Sequence, residues 1–287
     1  MPKAKLMIPG PVEVREDVLK AQARPMISHR DKEYSDLQAG IVSKLRQALE
    51  VKGGHLLLFS SSGTGGMEAG VRNLVSKRVL SCICGAFSDR WYKTAQSNGK
   101  DAAALNAEWG KGNHAEEVDK ALANGGFDAV HVTHSETSTG VLNHLDEIGA
   151  VLKSKYPDVT YMVDAVSSMA GVPIKMEAWG IDFVFAGTQK GWGLPPGLCI
   201  VWASDRAIEK AKGVPNRGYY FDLPKYVDMN AKNQTPETPA ISLLYALDFQ
   251  LGRMLSQGMA GRFAVNLRNS QRVRGWALER GFGIYPE

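Results

Sequence analysis

From His55 onward the chain alternates short apolar runs with helical patterns, and that rhythm narrows the folds open to it. His55–Ser60 reads as a strand and Met67–Val75 as a helix. A strand over Arg78–Cys84 is followed by a helix from about Ser88. Ala102–Asn106 and Ala129–Thr133 read as strands, each followed by a helix, at Ala115–Ala123 and Leu145–Lys155. Thr160–Asp164, Asp182–Ala186 and Gly197–Ala203 complete the strand series. Upstream, Leu37, Ile41, Leu45 and Leu49 recur every fourth residue and predict an amphipathic helix over residues 31–50. Strands and helices in alternation predict an α/β fold with a mostly parallel central sheet and helices on both faces. Beyond Pro239 the pattern changes to two long helices, Ile241–Leu255 and Val265–Glu279. The expected organisation is an N-terminal arm over 1–15, a large α/β domain over 16–240, and a third part over 241–287. That last part reads as linking helices and the start of a C-terminal small domain, cut short at Glu287.

The 287 residues are enough for a substantial core, and a 44% hydrophobic, 22% charged composition belongs to globular proteins. The net charge of +4 is scattered among acids, as in Arg30-Asp31-Lys32-Glu33, with no basic stripe for nucleic acid. Small anionic molecules fit this balance better. Cys82, Cys84 and Cys199 are an odd count in apolar surroundings and read as buried thiols in a reducing compartment. With no membrane-length apolar stretch and no signal-peptide core, the expected location is cytoplasmic.

Open α/β sheets bind ligands beyond the carboxyl ends of their strands, and four expected strands here end in polar clusters. They run into Ser61-Ser62-Gly63-Thr64, into His134-Ser135-Glu136-Thr137, into Asp164-Ala165-Val166-Ser167, and into Gly187-Thr188-Gln189-Lys190. Ser62-Gly63-Thr64 before a helix suits a phosphate, or serves as a plain helix cap with small residues. Lys190 is either a solvated surface charge or an amine held among apolar groups. Desolvation of the second kind lowers its pKa and frees a lone pair for imine formation. Asp164, ending an apolar run, needs a partner; a structural cap or a pyridinium N–H would provide one. His134-x-Glu136 lacks the cysteines of a zinc deaminase, so no metal is expected, and these two residues read as organisers of their loop. His29, in Ser28-His29-Arg30, is a candidate to line the site.

Taken in order, SSSGTGGMEA, HSETSTGVL, VDAVSS, GTQKGWGLPPG and TPETPAISLLYAL resemble the class V, fold-type I pyridoxal-5′-phosphate (PLP) aminotransferases. The likeness is greatest to the alanine–glyoxylate and serine–glyoxylate (serine–pyruvate) group and spans nearly the whole chain. It implies the large domain of that fold, with PLP bound as a Schiff base on Lys190. Asp164 then pairs with the pyridine nitrogen, Val166 packs beneath the ring, and Phe87 stacks upon it. Ser62, Gly63, Thr64 and Gln189 match phosphate-side contacts, and Thr137 matches a hydroxyl near the ring. Thr235 and Thr238 match a segment that, in the family's homodimers, reaches the neighbouring subunit's cofactor phosphate. The family also carries a C-terminal arginine that clamps the substrate carboxylate, and the sequence ends before that arginine.

The implied activity is transfer of an amino group from a small amino acid, of alanine or serine type, to a 2-oxo acid such as glyoxylate or pyruvate. Lys190 would act as the proton shuttle. Two alternatives keep the cofactor: a lyase or desulfurase of the same fold, and a PLP-binding fragment without turnover.

Overall fold

The computed structural model describes residues 5–287, so the first four residues of the expected arm lie outside it. In chain order the elements are α1 (Glu16–Ala21), α2 (Lys32–Leu49), β1 (His55–Phe59), α3 (Gly63–Leu74), β2 (Arg78–Ile83) and α4 (Ala86–Ser97). There follow β3 (Asp101–Asn106), α5 (Ala115–Ala123), β4 (Ala129–Thr133), α6 (Leu145–Lys155) and β5 (Thr160–Asp164). The chain continues through β6 (Phe183–Gly187), β7 (Cys199–Ala203), α7 (Asp205–Gly213), α8 (Leu223–Asn230), α9 (Ile241–Gln257) and α10 (Met259–Glu279).

The seven strands form one sheet in the order β1-β7-β6-β5-β4-β2-β3. Pairings from β3 through β6 are parallel, while β7 runs antiparallel to both β6 and β1. Two reversals cancel, so β1 points the same way as β4, β5 and β6. All four of the polar strand ends read from the sequence therefore emerge at one rim.

Side chains alternate across each strand and feed two cores. Leu56 and Leu58 of β1 join one cluster; Leu57 and Phe59 join the other. The first face is covered by α2, α5, α6 and α9, the second by α3, α4, α7 and α8. With both faces covered, the central strands are buried end to end, which is why they read as continuous apolar runs. Helix α9 packs along α2 and buries Leu244, Leu247 and Leu251 in the first cluster.

Helix α1 was not expected and α10 starts at Met259 rather than Val265; two further departures have physical causes. Helix α3 starts at Gly63 rather than Met67, although glycine is a poor helix former. Its first turn lies so close to the sheet that a Cβ on Gly66 would strike the Phe185 ring. Close approach outweighs propensity there. Helices α7 and α8 were not anticipated, because each buries only a narrow stripe, Ala207, Ile208 and Ala211 in one and Leu223 and Tyr226 in the other.

Candidate active site

Ser62 ends the loop after β1 in extended conformation and stands at the N-cap of α3. Its hydroxyl makes no capping bond, and no acidic residue occupies the helix's first turn. Unused N–H groups, the positive end of the helix dipole and two exposed hydroxyls, Ser62 and Thr64, make a slot for an anion. Gly63 is buried beneath it because a Cβ there would stand 2.6 Å from Val166 Cγ2.

That slot opens into a cavity of about 360 Å³ at the rim of the sheet. Ser62, Gly63, Thr64, Phe87, Thr137, Asp164, Val166, Gln189 and Lys190 all line it. Asp164, at the end of β5, is buried, and its Oδ1 accepts the Val166 backbone N–H at 2.8 Å. Burial drives its carboxyl up to about 7, against which that hydrogen bond and the nearby Lys190 and Arg90 charges are too weak to prevail. Such a group gains most from a cationic N–H donor set opposite it. Lys190, just after β6, is half-buried, and burial lowers its pKa, with Asp164 and then Glu136 opposing the shift. Its Nζ reaches Thr137 Oγ1 at 3.5 Å and stands 5.8 Å from the centre of the Phe87 ring. Thr137 is in turn tied to Ser167 by a hydroxyl–hydroxyl bond of 2.5 Å. Gln189 lines the cavity while its buried amide oxygen has no partner among the described residues.

A second cleft of about 300 Å³, bounded by Pro9, Val12, Gly140 and Gly191, shares Ser135, Thr137, Ser167 and Lys190 with the first. The lysine thus stands between a space sized for a small ring and an opening sized for a small acid. A flat heteroaromatic ring with a nitrogen, an aldehyde and a phosphate fits these residues: acid, amine, anion slot, and the apolar groups Phe87 and Val166.

Some of the residues read from sequence lie elsewhere. Thr235 is buried with its hydroxyl on Glu237 O, Thr238 is exposed, and neither lines this chain's cavity. His29 does not line it either. His134 and Glu136 organise their loop, as expected. His134 Nδ1 bonds Ser168 Oγ at 2.9 Å, and burial lowers its pKa to about 4, so it is neutral. The three cysteines are buried, burial pushes their thiols up, and none lines the cavity.

Sequence reading missed several wall residues: Gly10, Pro11, Met67, Arg90, Thr133 and Pro196. Gly10 and Pro11 come from a stretch without periodicity, held in place by the Val12 N–H donating to Gln189 O at 3.0 Å. Arg90 had a local signal, one helical turn after Phe87, and its guanidinium carbon lies 4.9 Å from that ring's centre. On the opposite rim, a cleft of about 420 Å³ is lined by Tyr156, Asp182 and Arg206. Asp182 there is already bound by Arg206, Ser204 and the Tyr161 N–H, so its charge is spent on structure.

The family described as Aminotransferase class-V matches residues 15–264. The L-aspartate–glyoxylate aminotransferase of Paracoccus denitrificans is 32% identical over 283 residues, covering 96% of this chain and 72% of that protein. The serine–glyoxylate aminotransferase of Methylorubrum extorquens is 31% identical over 288 residues, with the same 96% and 72% coverage. Among solved structures, the subgroup IV aspartate aminotransferase of Thermus thermophilus superposes with a TM-score of 0.91 at 32% identity, over 99% of this chain and 80% of that one.

Proposed function

The chain belongs to the class-V aminotransferases, and from that premise we propose that it moves an amino group from a small amino acid, of alanine or serine type, to a 2-oxo acid such as glyoxylate or pyruvate. Its cofactor is pyridoxal 5′-phosphate. One observation carries the reading: the Lys190 amine and the Asp164 carboxylate line a single cavity together with Phe87 and Val166. Two relatives that bear glyoxylate in their names support the choice of acceptor.

When bound, the cofactor supplies an aldehyde for the amine and a ring that takes up electrons from the substrate's α-carbon. The chain's own residues do the rest. The N-terminus of α3, with Ser62, Gly63, Thr64 and Gln189, holds the phosphate. Phe87 and Val166 would flank the ring with apolar surface. Asp164 would hold a proton on the ring nitrogen, and that positive charge would let the buried carboxylate stay ionised. Lys190 would attach the cofactor, and its freed amine would be the group placed to accept and return the substrate's α-proton. The pKa-lowering burial of Lys190 leaves more of that amine unprotonated and able to accept the proton. Thr137 orients the amine from 3.5 Å. The reading includes a homodimer in which Thr235 and Thr238 reach the neighbouring subunit's phosphate.

The test is borohydride reduction of the PLP-loaded protein followed by peptide mapping, with a half-reaction against alanine and serine. The label is expected on the peptide containing Lys190, with pyruvate or hydroxypyruvate released. Label at another residue overturns the assignment, and release of ammonia in place of amine transfer to the cofactor points to a lyase.

A further inference from the structure

We propose that Glu136 is the positioning residue of this site, joining Phe87 and Thr137 into one hydrogen-bonded unit that sets both against the cofactor ring. The proposal rests on the reading above in one respect, that these two residues face the ring.

Glu136 is fully buried in the loop after β4, and no ion pair holds it among the described residues. A buried carboxylate needs donors, and this one has them from two elements. Its Oε2 accepts the backbone N–H groups of Phe87 at 3.1 Å and Ser88 at 2.9 Å, and the Ser88 hydroxyl at 3.0 Å. Its Oε1 accepts the Ser138 N–H at 3.1 Å and hydroxyl at 2.8 Å. Ser138 Oγ then takes the Ala86 N–H at 2.9 Å. The first three N–H groups of α4, which no helical carbonyl can reach, all end on side chains of the β4 loop. The charge is balanced by the positive end of that helix.

Gly85 supports the same conclusion from another direction. A Cβ there would stand 2.5 Å from both Glu136 Cγ and Ser138 Oγ, so glycine is what admits the carboxylate to the helix end. Phe87 is the second residue of α4, and Thr137 follows Glu136 directly. Oε2 grips the element carrying the aromatic ring, and Oε1, which also meets the Phe87 N–H at 3.3 Å, grips the loop carrying the hydroxyl that orients Lys190.

The test is a double-mutant cycle on PLP affinity, using Glu136→Gln, Phe87→Ala and the pair, with melting temperatures of each apoprotein. Glutamine keeps the shape but turns an N–H2 toward donors. Loss of one charge-assisted bond is expected to raise the PLP Kd about tenfold in the wild-type background. In the Phe87→Ala background the same change is expected to cost only about threefold, because Thr137 alone is left for it to position. Equal losses in both backgrounds, or no loss in either, overturn the proposal. Ser138→Ala removes one bond to Oε1 and the Ala86 cap without touching the buried charge. Its loss, about threefold, is expected to shrink beside Phe87→Ala too, and it decides the matter should Glu136→Gln fail to fold. Wild-type protein that takes no PLP at Lys190 would refute the cofactor reading itself; normal loading with an additive cycle refutes only the role of Glu136.

Discussion

Gly10 lies against the side chain of Lys190: a Cβ at position 10 would stand 2.5 Å from Lys190 Cδ and 2.7 Å from Cε. A residue from the start of the chain thereby limits where the amine at the end of β6 can go. Gly10→Ala is expected to push the lysine aside while leaving both cores intact. Misplacing a reacting group by about 1 Å costs on the order of 10²-fold in rate, so kcat should fall by about that factor with little change in melting temperature. An unchanged kcat would show that the arm does not set the lysine's position.

On the proposed function, Lys190→Ala removes both the attachment point and the proton carrier. Turnover is expected to drop by roughly 10²–10⁴-fold or more, and reduction with borohydride should leave no label on the protein. Steady-state kinetics with alanine and glyoxylate would check this. Retention of wild-type rate contradicts the assignment.

Asp164 makes a pH prediction for the cofactor-free protein. Its folded-state carboxyl lies near 7 because burial raises it from the ordinary value near 4. A pKa raised on folding contributes stability that is complete below the unfolded value and lost as pH climbs through the folded one. The loss therefore spans about pH 4 to 7 and amounts to roughly 4 kcal/mol at most. Asp164→Asn should melt progressively higher than wild type, relative to their difference at pH 5, as pH rises to 8. Parallel melting curves across that range would count against a buried, unpaired carboxyl.

The three thiols offer a check on the desulfurase alternative. All are buried and their thiolate forms are suppressed by desolvation. A thiol reagent is expected to find less than about one equivalent in the native protein and all three after denaturation. Rapid labelling of one cysteine in the folded state would reopen that chemistry.

How much of this could be read without coordinates depends on whether the signal was local. Strands β4 and β5 and helices α5 and α6 were legible to the residue, since each carries its own period and its own breakers. Lys190, Asp164 and the Ser62–Thr64 turn were legible because each ends an apolar run, where a polar residue is conspicuous. Gly10 was not, because a glycine in an aperiodic arm looks the same wherever that arm goes. Glu136 was recognised as a loop organiser, yet nothing local revealed that its second oxygen holds the helix carrying Phe87, 49 residues away in sequence.

The order of amino acids by itself determined the α/β layering and marked Asp164 and Lys190 as polar ends of apolar runs, since both follow from patterns within short windows. Tertiary structure alone decided that β7 reverses between β1 and β6, that α3 can begin on glycines, and that Lys190 meets Thr137, Phe87 and Gly10 around one cavity. Those outcomes depend on distances between segments far apart in the chain, and only packing of the two cores brings such segments together.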